Sequence, residues 1–191
     1  MIKVKMPFYF RMQNFMFIKG EIFWTSATKT LWQKIKVLLK KEDGNYCNTS
    51  GGFTMIGHGQ DVFYNGYFIV VTENDGRYVY DELIGNSLLC RLNEKPTPKT
   101  NIQGLLQGFA FHVGKEEYTH AVFGAASKEP IKVYDIKTND EIVSLNYNDH
   151  KKWWWKYWEA EGIQWHEGKL YVGISVKSKF GFICNYIKEV K

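Results

Sequence analysis

The sequence predicts an all-β fold: a β-propeller of four blades, built on a repeat of about 47 residues and closed by an N-terminal strand. Three observations carry this. First, a Gln or Glu, a small or polar residue and an apolar pair lead to a Gly about seven residues on, and this occurs four times. The copies are Gln13-Asn14-Phe15-Met16 to Gly20, Gln60-Asp61-Val62-Phe63 to Gly66, Gln107-Gly108-Phe109-Ala110 to Gly114, and Glu161-Gly162-Ile163-Gln164 to Gly168. Second, the steps between copies are 47, 47 and 54 residues, a period typical of radial or stacked repeats. Third, β-branched and aromatic residues dominate the apolar runs, and helix caps are missing.

The first unit (approximately 11–55) gives strands at Phe15–Ile18, Glu21–Trp24 and Ile35–Leu39. Leu31–Lys41 also reads as helix, because its Leu and Lys favour both states. In the second (56–100), Asn65-Gly66 between Val62–Tyr64 and Tyr67–Val71 is a strong hairpin signal. The linker Asn93–Thr100, with Pro96 and Pro98, ends that unit. The third (101–150) pairs Phe109–Phe111 with Ala121–Phe123 around Gly114. An outer hairpin follows, Ile131–Ile136 and Glu141–Leu145 about the polar turn Lys137–Asp140. The fourth (151–191) places Ile163–His166 and Leu170–Ile174 on either side of Glu167-Gly168. Val4–Phe10 is apolar enough to complete this last unit, pairing near Tyr186. A fifth blade arises if Gly44–Met55 contributes strands of its own.

At 191 residues, with 45% apolar and 17% aromatic content, the chain forms one domain with a sizeable core. Its 25 basic and 20 acidic residues give a net charge of +5, and only Arg11, Arg77 and Arg91 are arginines. Bidentate recognition of bases or phosphates is therefore scarce, which disfavours nucleic acid as partner. Cys47, Cys90 and Cys184 are odd in number and lack ligand spacing, which indicates neither a zinc site nor a disulfide framework; Cys90 and Cys184, within apolar runs, read as buried hydrophobes in a chain made in a reducing cytoplasm. No run reaches the ~20 apolar residues of a membrane span, and the basic start lacks the pattern of a signal peptide.

Two constellations are candidates for function. In a propeller the repeated Gln13, Gln60, Gln107 and Glu161 converge on the channel rim. There they hold the blades in register or bind a ligand at the axis; a hard cation such as calcium fits if backbone carbonyls and water complete its shell. The other is Lys152-Trp153-Trp154-Trp155-Lys156-Tyr157-Trp158, five aromatics in six positions just ahead of the fourth unit's first strand. Aromatic faces stack on the C–H surfaces of sugars and lysines attract phosphate, whereas the bland reading has these rings covering a blade. His58 and His166 lie near the rim, but the five histidines show no metal spacing. Among acids the repeats place only Glu161 at the rim, with Glu159 and Asp61 nearby, so binding without chemistry is favoured.

The segments Gln107-Gly108-Phe109-Ala110-Phe111, Glu161-Gly162 and Gly168-Lys169-Leu170-Tyr171-Val172 resemble repeats of small propellers in helveticin J-type bacteriocins and in bacteriophage tail or receptor-binding proteins. The resemblance follows the repeat skeleton along most of the chain. It implies a non-catalytic module, an adhesin or tail protein, that binds a cell-surface glycan or teichoic-acid-like polymer. It further implies action outside the cell or within a virion, with homo-oligomer or virion assembly. Glu161-Gly162 followed by Trp165 is also similar to gluconolactonase-type propellers, which are calcium enzymes, but only in this one repeat and without the motif's late aspartate. The alternatives are a small hydrolase or lyase acting on a glycan or phosphate ester at the channel mouth, and a protein-interaction scaffold.

Overall fold

The structure, a computed structural model, describes residues 1–6, 10–18, 20–27, 45–49, 52–56, 61–64, 68–73, 76–81, 89–92 and 101–191. Among these residues strands dominate, and the only α-helix is the single turn α1 (Tyr147–His150). Four antiparallel sheets of four strands each are present. The first holds β2 (Arg11–Ile18), β3 (Glu21–Ala27), β4 (Asn45–Thr49) and β5 (Gly52–Ile56). The second holds β6 (Asp61–Tyr64), β7 (Phe68–Glu73), β8 (Gly76–Asp81) and β9 (Leu89–Leu92). The third holds β10 (Leu106–His112), β11 (Glu117–Phe123), β12 (Ile131–Asp135) and β13 (Glu141–Leu145). The fourth is β14 (Trp155–His166), β15 (Lys169–Ser178) and β16 (Ile183–Glu189), completed by β1 (Ile2–Val4) from the other end of the chain.

Local chemistry explains the hairpins. Alternation in β12 buries Ile131 and Val133 and leaves Lys132 half-exposed, as one face of a sheet requires. The next turn is held by Asp135, whose Oδ1 accepts from the backbone N–H of Lys137 and Thr138 at 2.8 and 3.2 Å. Glu167 and Gly168 both have positive φ (48° and 74°), the geometry of a two-residue turn whose twist matches the strands it joins. Around Gly114 the connection is instead a 3-10 turn, Val113–Lys115, and the left-handed residue is Glu116.

The sheets meet through the first strand of each repeat unit. β2 touches β6, β6 touches β10, β10 touches β14, and β14 touches β2. β14 is buried along most of its length, as a strand covered on both faces must be. Third and fourth sheets share a core of Val122, Ile131, Val133, Trp158, Ile163 and Ile174, while Val4, Phe10, Phe15, Trp24 and Ile187 join the fourth sheet to the first. Asn185 of β16 secures this last junction. It donates to Phe10 O at 2.8 Å and accepts from Met12 N–H at 3.0 Å.

Three sequence expectations change. The N-terminal strand is Ile2–Val4, with Lys3 opposite Tyr186, so the pairing expected of Val4–Phe10 begins two residues earlier; residues 7–9 lie outside the described residues, and Phe10 packs edge-on against Trp24 at 5.9 Å. Gly44–Met55 does contribute strands, but β4 and β5 belong to the first sheet. The fourth unit's first strand begins at Trp155, eight residues before Ile163. An irregularity between Ala160 and Ile163 breaks its alternation, so the sequence shows two pieces where there is one strand. Leu31–Lys41, the Asn65-Gly66 turn and the linker Asn93–Thr100 lie outside the described residues.

Candidate functional site

The repeated Gln and Glu positions share a structural job. The β2–β3 register shifts between Met12 and Asn14, the β10–β11 register between Leu106 and Gly108, and the β14–β15 register between Ala160 and Ile163. Gln13 and Gln107 are the residues inside the first two shifts, and Glu161 with Gly162 inside the third. A bulge adds an unpaired residue, bends the strand and re-aims its side chain. Gln60 and His58 lie outside the described residues.

Two of these side chains meet in a polar cluster near the starts of the units' first strands. Gln107 donates to Glu159 Oε1 at 3.1 Å, and Arg11 Nη1 reaches Glu159 Oε2 at 2.6 Å. Arg11 Nε lies 3.8 Å from Glu161 Oε1. Glu161 is buried, and its pKa is pushed well above the carboxylate range, first by burial and then by the charge of Glu159, against the opposing pull of Arg11. The Ser175 hydroxyl nearby donates to Asn185 Oδ1 at 2.6 Å, so its one proton is already committed. One guanidinium sits beside two carboxylates, hydrogen-bonded to Glu159, while burial disfavours the charged form of Glu161. Gln13 sits half-buried on the same strand as Arg11. The cation held among these acids is therefore Arg11, and the cluster ties β2, β10 and β14 together.

The aromatic run divides by depth. Trp155 and Trp158 belong to the core, and Trp158 Nε1 donates to Glu129 O at 2.9 Å. Trp154 and Tyr157 are half-buried, each with a lysine ammonium 6.0 Å from its ring, Lys152 and Lys177 respectively. Trp153 stands out, 74% exposed, with its ring edge-on to the 62%-exposed Phe180 at 5.9 Å. The bond from Lys179 N–H to Trp154 O, 2.9 Å, fastens the β15–β16 turn to the segment that carries Trp153. Lys152 and Lys156 are exposed, and neither 151–158 nor 176–188 contains an acid. This surface is cationic and aromatic at once.

At the other end of β14 the sequence reasoning missed a second feature. A cavity of about 210 Å³ is lined by Phe17, Tyr64, Phe111 and Trp165, with His112, His166 and Gln164 among its polar groups. Each of those four aromatics stands four residues after the repeated Gln13, Gln60, Gln107 or Glu161. An aromatic at one register position in all four copies is the signal that points to it. Trp165 is fixed by its Nε1 bond to Thr119 Oγ1 at 2.8 Å and by the edges of His112 and His120. His166 stacks on Phe17 with centroids 4.1 Å apart. Gln164 is buried, and both its N–H donors are taken, by Val62 O and by Asn14 Oδ1 at 3.3 Å.

No protein-family profile matches the chain, and no curated protein does. Among solved structures it is similar to the tail fiber of Staphylococcus aureus phage P68, with a TM-score of 0.48 and 10% sequence identity over 98% of this chain. The chain spans about half the length of that tail fiber, 51% of it.

Proposed function

We propose that this chain is a non-catalytic receptor-binding module, a four-bladed β-propeller that attaches to a teichoic-acid-like polymer or related glycan on a cell surface. The four sheets are its blades, β2, β6, β10 and β14 line its axis, and β1 closes the ring on β16. The observation that carries the binding is the exposed Trp153–Phe180 pair with the exposed Lys152, Lys156 and Lys179 beside it in sequence. Rings give a polyol or sugar an apolar platform, and lysines attract the phosphates that link such units. Trp153 and Lys152 supply the primary contacts, with Trp154, Lys156 and Tyr157 beside them. Trp155 and Trp158 hold that surface from beneath. Following the resemblance of the repeats, the setting is an adhesin or a phage tail, where many copies multiply weak single contacts.

The test is sedimentation of the purified protein with Gram-positive cell walls, before and after teichoic acid is extracted. Saturable binding that falls at least tenfold on extraction, and equally in Trp153→Ala and Phe180→Ala, supports the reading. Binding unchanged by extraction and by both substitutions overturns it. Added salt weakens a polyanion contact made through lysines.

A further inference from the structure

We propose that the cavity at the end of β14 remote from Trp153 is a second binding site, one that takes a single neutral sugar ring. This goes beyond the polymer-binding surface, because the two features flank opposite ends of the same strand: Trp155 pairs with Ser178, and His166 with Lys169.

Four observations converge on a sugar. The aromatics Phe17, Tyr64, Phe111 and Trp165 come from the first strand of each repeat unit, at one repeat position, and all reach a common space. Apolar walls from several directions suit the C–H faces of a pyranose. Second, among the described residues no Lys or Arg lines the space and the carboxylate of Glu167 does, which disfavours a phosphate group there. Third, the lining carries polar side chains, His112, Gln164, His166 and Glu167. His112 Nδ1 is buried without a hydrogen-bond partner, an omission that natural structures seldom leave without a use. With both N–H donors of Gln164 engaged, the group it has left is its carbonyl Oε1, an acceptor for a hydroxyl. Fourth, about 210 Å³ lies below the ~300 Å³ at which sites for drug-sized ligands begin, so one ring fits and a chain of rings does not. The wall is also fixed in advance, because Thr119 holds Trp165 and Phe17 carries the stacked His166, which reduces the ordering that binding must impose.

The experiment is a titration of the full chain with the methyl glycosides of glucose, galactose and N-acetylglucosamine. It is read at the Trp165 indole N–H resonance, assigned by its absence from Trp165→Phe. At least one glycoside is expected to shift that resonance saturably in the millimolar range. His112→Ala, at a half-exposed position, is expected to weaken it about fivefold or more while leaving the rest of the spectrum intact. Phe111→Leu serves as a second variant should His112→Ala fold poorly. No saturable shift with any of the three overturns the proposal, and so does a shift that both variants leave unchanged. Trp153→Ala is expected to keep glycoside binding and lose cell-wall binding, so the two sites fail separately.

Discussion

Arg11, at the start of β2, grips Glu159 of β14 at 2.6 Å across 148 residues of sequence. The bond joins the first sheet to the fourth, and Gln107 brings in the third through the same carboxylate. Replacing Arg11 by Met would leave Glu159 and Glu161 together without their cation. Breaking a largely buried pair from one side costs about 3–5 kcal/mol; the partial exposure of Arg11 puts the expected loss near the lower figure. Urea denaturation at pH 7 measures it. A loss below about 0.5 kcal/mol would make the bridge an ornament of the surface.

Glu161 gives stability a pH dependence with a definite sign. Its folded pKa lies well above the ordinary 4.5, so the folded chain holds a proton that the unfolded chain releases. The contribution is complete below pH 4.5 and declines as pH rises from there through the folded value. Glu161→Gln, which stays neutral, should flatten that decline and raise Tm at pH 7–8. A thermal series from pH 5 to 8 checks it; parallel curves for the two proteins would refute a protonated Glu161.

Trp158 and Trp153 are neighbours in sequence and opposites in energetics. Trp158→Ala empties a fully buried site and strands Glu129 O, so it should cost about 3–5 kcal/mol. Trp153→Ala removes a ring that is mostly in solvent and should change stability by no more than about 0.5 kcal/mol. Equal effects in chemical denaturation would contradict the depth assigned to the two rings.

Two glycines separate backbone strain from steric clash. Gly168 has φ +74° and open space where an added methyl would point, so Gly168→Ala should cost only the left-handed penalty, about 1–2 kcal/mol. Gly162 has φ +85°, and a Cβ there would collide with the Asn14 side chain, which is buried and bonded to Gln164. Gly162→Ala should therefore lose clearly more than Gly168→Ala. Comparable melting temperatures for the two would show that Asn14 moves aside freely.

Much of the architecture was legible from Gln13, Gln107 and Glu161, because a bulge recurs at the repeat position in these three copies. Their role was not, since a bulge is a property of register between two strands and a single strand's residues do not display it. Gln107 and Glu161 are linked through Glu159 and Arg11, and Arg11 gave no sign in a chain where three arginines looked scattered. The tryptophan run announced itself, but which rings are buried depended on where β14 begins. Conversely Phe17, Tyr64, Phe111 and Trp165 differ in residue type, and that variation hid a position that is always aromatic.

The fourth sheet borrows its edge strand from the opposite end of the chain, with Val4 facing Asn185 and Ile2 facing Ile187. On the ribosome, the first three sheets can form as they emerge, while Ile2–Val4 must wait unpaired until β16 has been made. That pairing spans nearly the whole sequence, the kind of contact whose loop-closure entropy slows folding. Pairing of β1 thus has to follow synthesis of β16, and a product truncated before β16 would leave the fourth sheet without its seam.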